Sequence, residues 1–227
     1  MDLTEKERLQ RSWVANAPAW RDAVRQGKIA SRRIATDAAI IDAVLGLAPR
    51  RVLDLGCGEG WLTRELCSRG IDAIGVDASE PLINAANQLG GASFLRLSYE
   101  ELAQHEFGKA FDAAVANFSI LDEDIQPLLS ASAKVLKPDG VLVIQTTHPA
   151  FGAGDEPYDD GWRTETFAAI EGEWPAPMPW YFRTIERWAV DLSRGGYYIA
   201  EIREPRGERG APPLSLIFVC RRGVIKR

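Results

Sequence analysis

Residues 51–61, Arg-Val-Leu-Asp-Leu-Gly-Cys-Gly-Glu-Gly-Trp, constrain the chain more than any other stretch. Val52, Leu53 and Leu55 read as a short buried strand, Gly56, Gly58 and Gly60 as a tight turn, and a helix starts near Glu59. Glycines let the backbone approach a ligand closely. The start of the helix behind them offers unpaired N–H donors. Dinucleotide sites use a similar strand, loop and helix, with G-x-G-x-x-G and the pyrophosphate over the helix start. Here the spacing is G-x-G-x-G, and Asp54 stands just before the loop. That acid would put a negative charge beside a pyrophosphate. It fits a ligand that carries an ammonium and no phosphate better.

Downstream, strands and helices alternate. Ile71 to Val76 reads as a second strand ending in Asp77, 21 residues after Gly56. An acid at that place can accept both hydroxyls of a ribose, which supports an adenosine ligand without choosing its kind. Ser79 is placed to cap a helix through about Leu89, with Pro81 in its first turn. Ala92 to Leu97 and Phe111 to Ala116 read as the third and fourth strands, and Asn117-Phe118-Ser119 ends the fourth. A helix over 122–136, a turn at Lys137-Pro138-Asp139-Gly140 and a fifth strand from Val141 to Thr146 follow. This alternation predicts a parallel sheet with helices on both faces. Residues 148–181 break the pattern, with five prolines and Tyr158, Trp162, Trp174, Trp180 and Tyr181. A segment so long and aromatic is a functional insertion rather than a plain loop. Thr184 to Arg194 reads as a last helix, and Tyr197 to Glu204 and Leu214 to Arg221 as two more strands.

The acid–glycine pattern of residues 54–60 resembles the first motif of the class I S-adenosylmethionine (SAM)-dependent methyltransferases. SAM carries an ammonium and no phosphate. The resemblance is good over about 50–147, moderate over the final strands and poor in the flanking segments. It implies a Rossmann-like, doubly wound α/β fold: a seven-stranded, mostly parallel sheet with an antiparallel last strand and helices on both faces. An N-terminal helical arm and the insertion after strand 5 complete it. It also implies that Ser98-Tyr99-Glu100 lies at the adenine, where Ser98 replaces the family's frequent aspartate. The Asn117 backbone would contact the methionine part, and Phe118 would wall the adenine or the reaction centre. The family's amino-group enzymes often carry Pro-Pro-aromatic here, and this chain has no proline at 118 or 119. Together the cofactor-side candidates are Trp20, Arg32, Arg33, Asp54, Gly56, Cys57, Gly58, Gly60, Trp61, Asp77, Ala78, Ser98, Tyr99, Glu100, Asn117 and Phe118.

Residues 1–48 are expected to form the arm and 49–227 the SAM-binding part, with 148–181 as the acceptor-pocket insertion, all in one structural domain. Residues 1–28 read as one or two short helices. Trp13 and Trp20 there either anchor the arm or cover the ligand pocket. Ser31 is placed to cap a helix to about Leu45, with Ile34, Ala38, Ile41 and Leu45 as its buried stripe. Arg33 either pairs with Asp37 one turn on, or Arg32 or Arg33 meets the ligand's carboxylate.

Methyl transfer requires alignment of the nucleophile and exclusion of water. A nucleophile with a removable proton also needs a base. His148 is the one histidine placed at the carboxyl end of a central strand, as a base or as a hydrogen-bonded turn residue. Tyr158, Tyr181 and Glu165 are further candidates, and Asp155, Glu156, Asp159 and Asp160 form an acidic cluster that reads as solvated. Two histidines and three cysteines without metal spacing predict no metal site and reduced cytoplasmic thiols. A net charge of −5 gives no pull toward nucleic acid or an anionic membrane, and the basic residues Arg221, Arg222, Lys226 and Arg227 read as a solvated strand end. No signal peptide is expected, and the sequence holds no apolar run long enough to span a bilayer. The expectation is a cytoplasmic monomer or homodimer that methylates a small molecule and leaves S-adenosylhomocysteine. An NAD-dependent oxidoreductase and a SAM-binding module without catalysis are the alternatives.

Overall fold

A computed structural model describes residues 2–151 and 156–223. Strands β1 (Arg51–Leu55), β2 (Asp72–Asp77), β3 (Ser93–Arg96), β4 (Phe111–Asn117) and β5 (Leu136–Thr147) are followed by a hairpin, β6 (Gly161–Glu165) and β7 (Met178–Phe182), and then by β8 (Tyr197–Arg203) and β9 (Ser215–Arg222). Seven of them form one sheet in the order β3-β2-β1-β4-β5-β9-β8, and β6 and β7 form a separate two-stranded sheet. The first five are parallel, and β9 runs antiparallel to both β5 and β8. Strand order reverses between β1 and β4. A ligand crevice therefore opens at their carboxyl ends, as in other doubly wound sheets.

Helices α1 (Glu5–Arg25), α2 (Asp37–Leu45), α3 (Trp61–Ser68), α4 (Glu80–Leu89), α5 (Tyr99–Leu102), α6 (Gln126–Val135) and α7 (Ile185–Arg194) surround the sheet. Because side chains alternate along a strand, β1 sends Leu53 and Leu55 to one face and Val52 to the other. On the first face Leu53, Leu142 and Phe218 pack with Leu128 and Leu129 of α6 and Trp188 and Leu192 of α7. On the second, Val52, Val115 and Val143 pack with Ile40, Ala43 and Val44 of α2 and Leu62 and Leu66 of α3. None of the helices among the described residues is long and apolar enough to cross a membrane.

Several local expectations are corrected. The N-terminal arm is one long helix, α1, opened by a Thr4–Glu7 capping box and continuous through Pro18. Ser31 caps nothing, because the chain is already helical there and runs into a π-helical turn, Arg32–Thr36, before α2. The wider turn rotates the following side chains, so the expected stripe is out of phase: Ile34 is 58% exposed, whereas Thr36, Ile40, Ala43 and Val44 are buried. Ser79 precedes α4 without a side-chain cap bond. Helix α6 begins at Gln126, four residues later than expected, after an irregular run at 121–125. Lys137 to Gly140 belongs to β5, where the register jumps from Phe111↔Leu136 to Ala113↔Val141 as an irregularity. Asp155, Lys226 and Arg227 lie outside the described residues.

A candidate cofactor crevice at the glycine loop

Between β1 and α3, Gly56, Gly58 and Gly60 all take left-handed backbone, with φ of 72°, 57° and 87°. They need it for different reasons. A Cβ at Gly56 would lie 2.4 Å from Ser119 Cβ, and one at Gly60 would lie 2.3 Å from the Phe94 ring. Those two glycines are required by the protein's own packing. At Gly58 the nearest atom is Trp20 Nε1, 3.9 Å away, so its bare face looks into the crevice toward α1. The Gly56 and Cys57 N–H groups donate to the Val76 carbonyl at 2.8 and 3.0 Å, tying the loop to the end of β2.

Two carboxylates end the central strands. Asp54 is buried and accepts from Thr63 Oγ1 at 2.7 Å. Burial pushes its pKa up to about 7, the Thr63 bond opposes this, and the nearby Asp77 charge adds to it. Asp77 accepts from the Gly58 N–H at 2.9 Å and the Ser79 N–H at 2.7 Å. Burial raises its pKa, and these two bonds hold it down. Burial also lifts the Cys57 thiol well above its usual range, so it is a packing group and not a thiolate nucleophile.

A third acid was not legible as a site residue. Glu59, inside the glycine loop, is 1% exposed. Arg64 of α3 grips its carboxylate at 2.8 and 2.7 Å and its backbone carbonyl at 2.8 Å. Arg25, in the last turn of α1, donates to the same carboxylate at 2.8 Å and to the Ala85 carbonyl of α4 at 2.9 Å. The only sequence signal was a charge set between two glycines.

α1 covers the loop. Trp20 meets Trp13, Phe167 and Trp174 edge-on, with ring centroids 5.4, 6.4 and 6.1 Å away. Of the two arginines expected near the ligand, it is Arg32 that bonds Asp37, at 2.8 Å, and its guanidinium lies 4.4 Å over the Trp61 ring at the start of α3. Arg33 instead lays its aliphatic stem against Gly27. Across the crevice, Phe118 adopts φ 53° and donates its N–H to the Gln145 carbonyl at 2.8 Å. The side-chain oxygens Asn117 Oδ1 and Gln145 Oε1, on paired positions of β4 and β5, are buried without a hydrogen-bond partner.

At the expected adenine end, the Ser98 hydroxyl accepts the Glu101 N–H as a cap of α5. Tyr99 is held by its hydroxyl on the Ser119 carbonyl at 3.4 Å, and burial raises its pKa. Glu100 faces Lys6 at 3.4 Å on the surface, and Ala78 is exposed.

The acceptor-side candidates are dispersed. His148 is buried just beyond β5, with Nδ1 accepting the Ala150 N–H at 3.2 Å and Nε2 3.0 Å from Glu204 Oε1. Both nitrogens are therefore engaged, with the ring proton on Nε2. The Tyr158 hydroxyl accepts the Ile185 N–H at 3.0 Å. Tyr181 is buried, its ring edge-on to Trp162 at 5.6 Å. Glu165 accepts the Phe167 N–H at 2.5 Å. Within the acidic cluster, Glu156 pairs with Arg163 at 3.0 Å and Asp160 accepts the Thr184 N–H at 2.8 Å. A cleft of about 640 Å³ opens between the start of α1, residues 122–126 and α7, and contains no residue of the glycine loop. No cluster of His, Cys, Asp or Glu among the described residues could hold a metal.

Residues 52–140 match the family model described as a methyltransferase domain. The chain is 34% identical over 113 residues to a ubiquinone biosynthesis O-methyltransferase of Dechloromonas aromatica, covering 47% of this chain and 48% of that protein. It is 28% identical over 163 residues to one of Bartonella tribocorum, covering 69% and 55%. The chain thus spans about half the length of these relatives. Among solved structures, the 1,6-didemethyltoxoflavin-N1-methyltransferase of Burkholderia thailandensis superposes with a TM-score of 0.64 at 20% identity, over 98% of this chain and 92% of that one. A SAM-dependent methyltransferase of Mesorhizobium loti gives 0.60 at 24% identity, over 79% and 96%. The glycine loop thus lies inside a segment that matches a methyltransferase domain, and the fold of the chain is that of these SAM-dependent methyltransferase structures.

Proposed function

We propose that the chain transfers a methyl group from SAM to a small-molecule acceptor by direct displacement. The observation that carries this reading is Gly58. Unlike Gly56 and Gly60, it is not required by packing within the domain: a Cβ there would meet only Trp20 Nε1 of α1, at 3.9 Å, while its N–H is held by Asp77. When bound, SAM supplies a methyl group made electrophilic by its sulfonium. The residues present fit such a donor. Asp54 offers a buried carboxylate toward an ammonium. Asp77 would exchange its backbone donors for ribose hydroxyls. Arg32 carries its positive charge beside the loop over Trp61, where it suits the methionine carboxylate. Asn117 Oδ1 and Gln145 Oε1 add acceptors without donors at the neighbouring strand ends.

On the acceptor side the chain orients and shields. Trp13, Trp20, Phe167 and Trp174 form an aromatic cover that excludes water. His148 would act as a base only by giving up the Ala150 N–H from Nδ1. Tyr158 and Tyr181 are the other acceptor-side groups. Free cysteines at 57, 67 and 220 support a cytoplasmic location, and a monomer or homodimer is the assembly proposed. Residues 1–48 act as the cover and 49–227 as the donor-binding part, within one domain.

Calorimetric titration with S-adenosylhomocysteine and, separately, with NADH tests this reading. Micromolar binding of the first and none of the second is expected. Binding of NADH alone would overturn it in favour of a dinucleotide enzyme. Methyl donor retained against every acceptor class tried, despite tight binding, would favour a binding module.

A further inference from the structure

The roof over Gly58 is too low for a ligand. Trp20 Nε1 stands 3.9 Å from the place a Cβ on Gly58 would occupy, hence at most about 5.5 Å from its Cα once one carbon–carbon bond is added. A ligand atom lying between two packed surfaces needs about 7–8 Å between them. Occupancy of the loop therefore requires the Trp20 ring, and with it the face of α1 that carries it, to move away from Gly58. The last turn of α1 is fastened to the loop by one bond from Arg25 to the buried Glu59. Arg64 grips the same carboxylate from within the domain, so Glu59 keeps a counter-charge when Arg25 lets go. At its other end α1 meets the sheet domain through Lys6, 3.4 Å from Glu100 and from Asp122, with its side chain half exposed, while the buried Asn16 bonds Ala176 of the 148–181 insertion. Exposed pairs like those of Lys6 hold weakly. Gly27, left-handed at φ 63°, turns the chain directly behind the Arg25 end.

Resting on the cofactor reading above, we propose that Arg25 is a positioning residue for the methyl donor. Its bond to Glu59 latches α1 over the glycine loop, opens when the donor enters or leaves, and closes again behind it. The latch sets how fast the donor exchanges, and it holds Glu59, and so the backbone between Gly58 and Gly60, in shape.

Stopped-flow tryptophan fluorescence tests this, because Trp20 reports from beside the loop. S-adenosylhomocysteine is mixed with the full chain, the wild type compared with Arg25→Ala and Arg25→Lys, and folding is checked by circular dichroism. The release rate of Arg25→Ala should rise about tenfold or more, as loss of a charge-assisted bond implies, association should also be faster, and Arg25→Lys should fall between the two. Arg25→Gln, which keeps a donor but no charge, replaces the alanine variant if that one does not fold. A merely structural role would lower the melting temperature and leave exchange alone. Rates within about twofold of wild type in the folded variants, well under the effect of one such bond, overturn the latch while the cofactor reading stands. No binding to the wild type overturns both.

Discussion

Asp54 binds its proton more tightly in the folded protein than a free carboxyl does, because its site is buried and Asp77 is near. The sign follows from linkage: where the folded state holds more protons, stability falls as pH rises. Asp54 therefore costs stability between the ordinary carboxyl value of 3.8 and about 7, and adds no further slope above that. An ammonium brought next to it reverses the balance and drives the proton off. Titration of S-adenosylhomocysteine at about pH 6 should then release up to one proton, seen as a binding heat that depends on the buffer's ionisation enthalpy. The release should be absent in Asp54→Asn, whose side chain carries no titratable proton. Buffer-independent heat in the wild type would mean that Asp54 meets no cation. The acid and its neighbouring glycines were legible because they are contiguous. The partnership of Glu59 with Arg25 was not, since 34 residues separate them and no local pattern links them.

Among the elements, α2 exposes the weakness of reading a stripe from spacing. The apolar residues at 34, 38, 41 and 45 have helical spacing, but the π-helical turn at Arg32–Thr36 widens the preceding turn and changes the phase. Thr36, Ile40, Ala43 and Val44 face the sheet instead. Urea unfolding separates the two assignments. Ile40→Ala should cost about 2–5 kcal/mol as a buried truncation, and Ile34→Ala less than about 0.5 kcal/mol as a surface change. Equal costs would restore the spacing-based stripe. The strands were easier to read. The apolar runs of β1 and β4 are short and buried on both faces, which leaves few other ways to place them. The insertion gave only its composition, and the β6–β7 hairpin within it depends on pairing that composition does not encode.

At the scale of the molecule, the candidate crevice is walled on one side by the parallel strands and on the other by α1 and the β6–β7 hairpin, which pack on each other through Leu9, Phe167 and Met178. Ligand binding should tighten the second wall and leave the first unchanged. Hydrogen exchange with S-adenosylhomocysteine should slow in residues 5–25 and 161–182 and stay the same in β1 and β4; slowing spread evenly through the sheet would contradict a moving cover. The sheet order holds a further consequence. β9 lies between β5 and β8, though it follows both in the chain. While the polypeptide is being made, β5 has an open, apolar edge and β8 has no neighbour until residues 215–222 have left the ribosome. A half-made chain of this protein therefore lacks the strand that joins its last two neighbours, and the flank of β5 is closed only when β9 arrives.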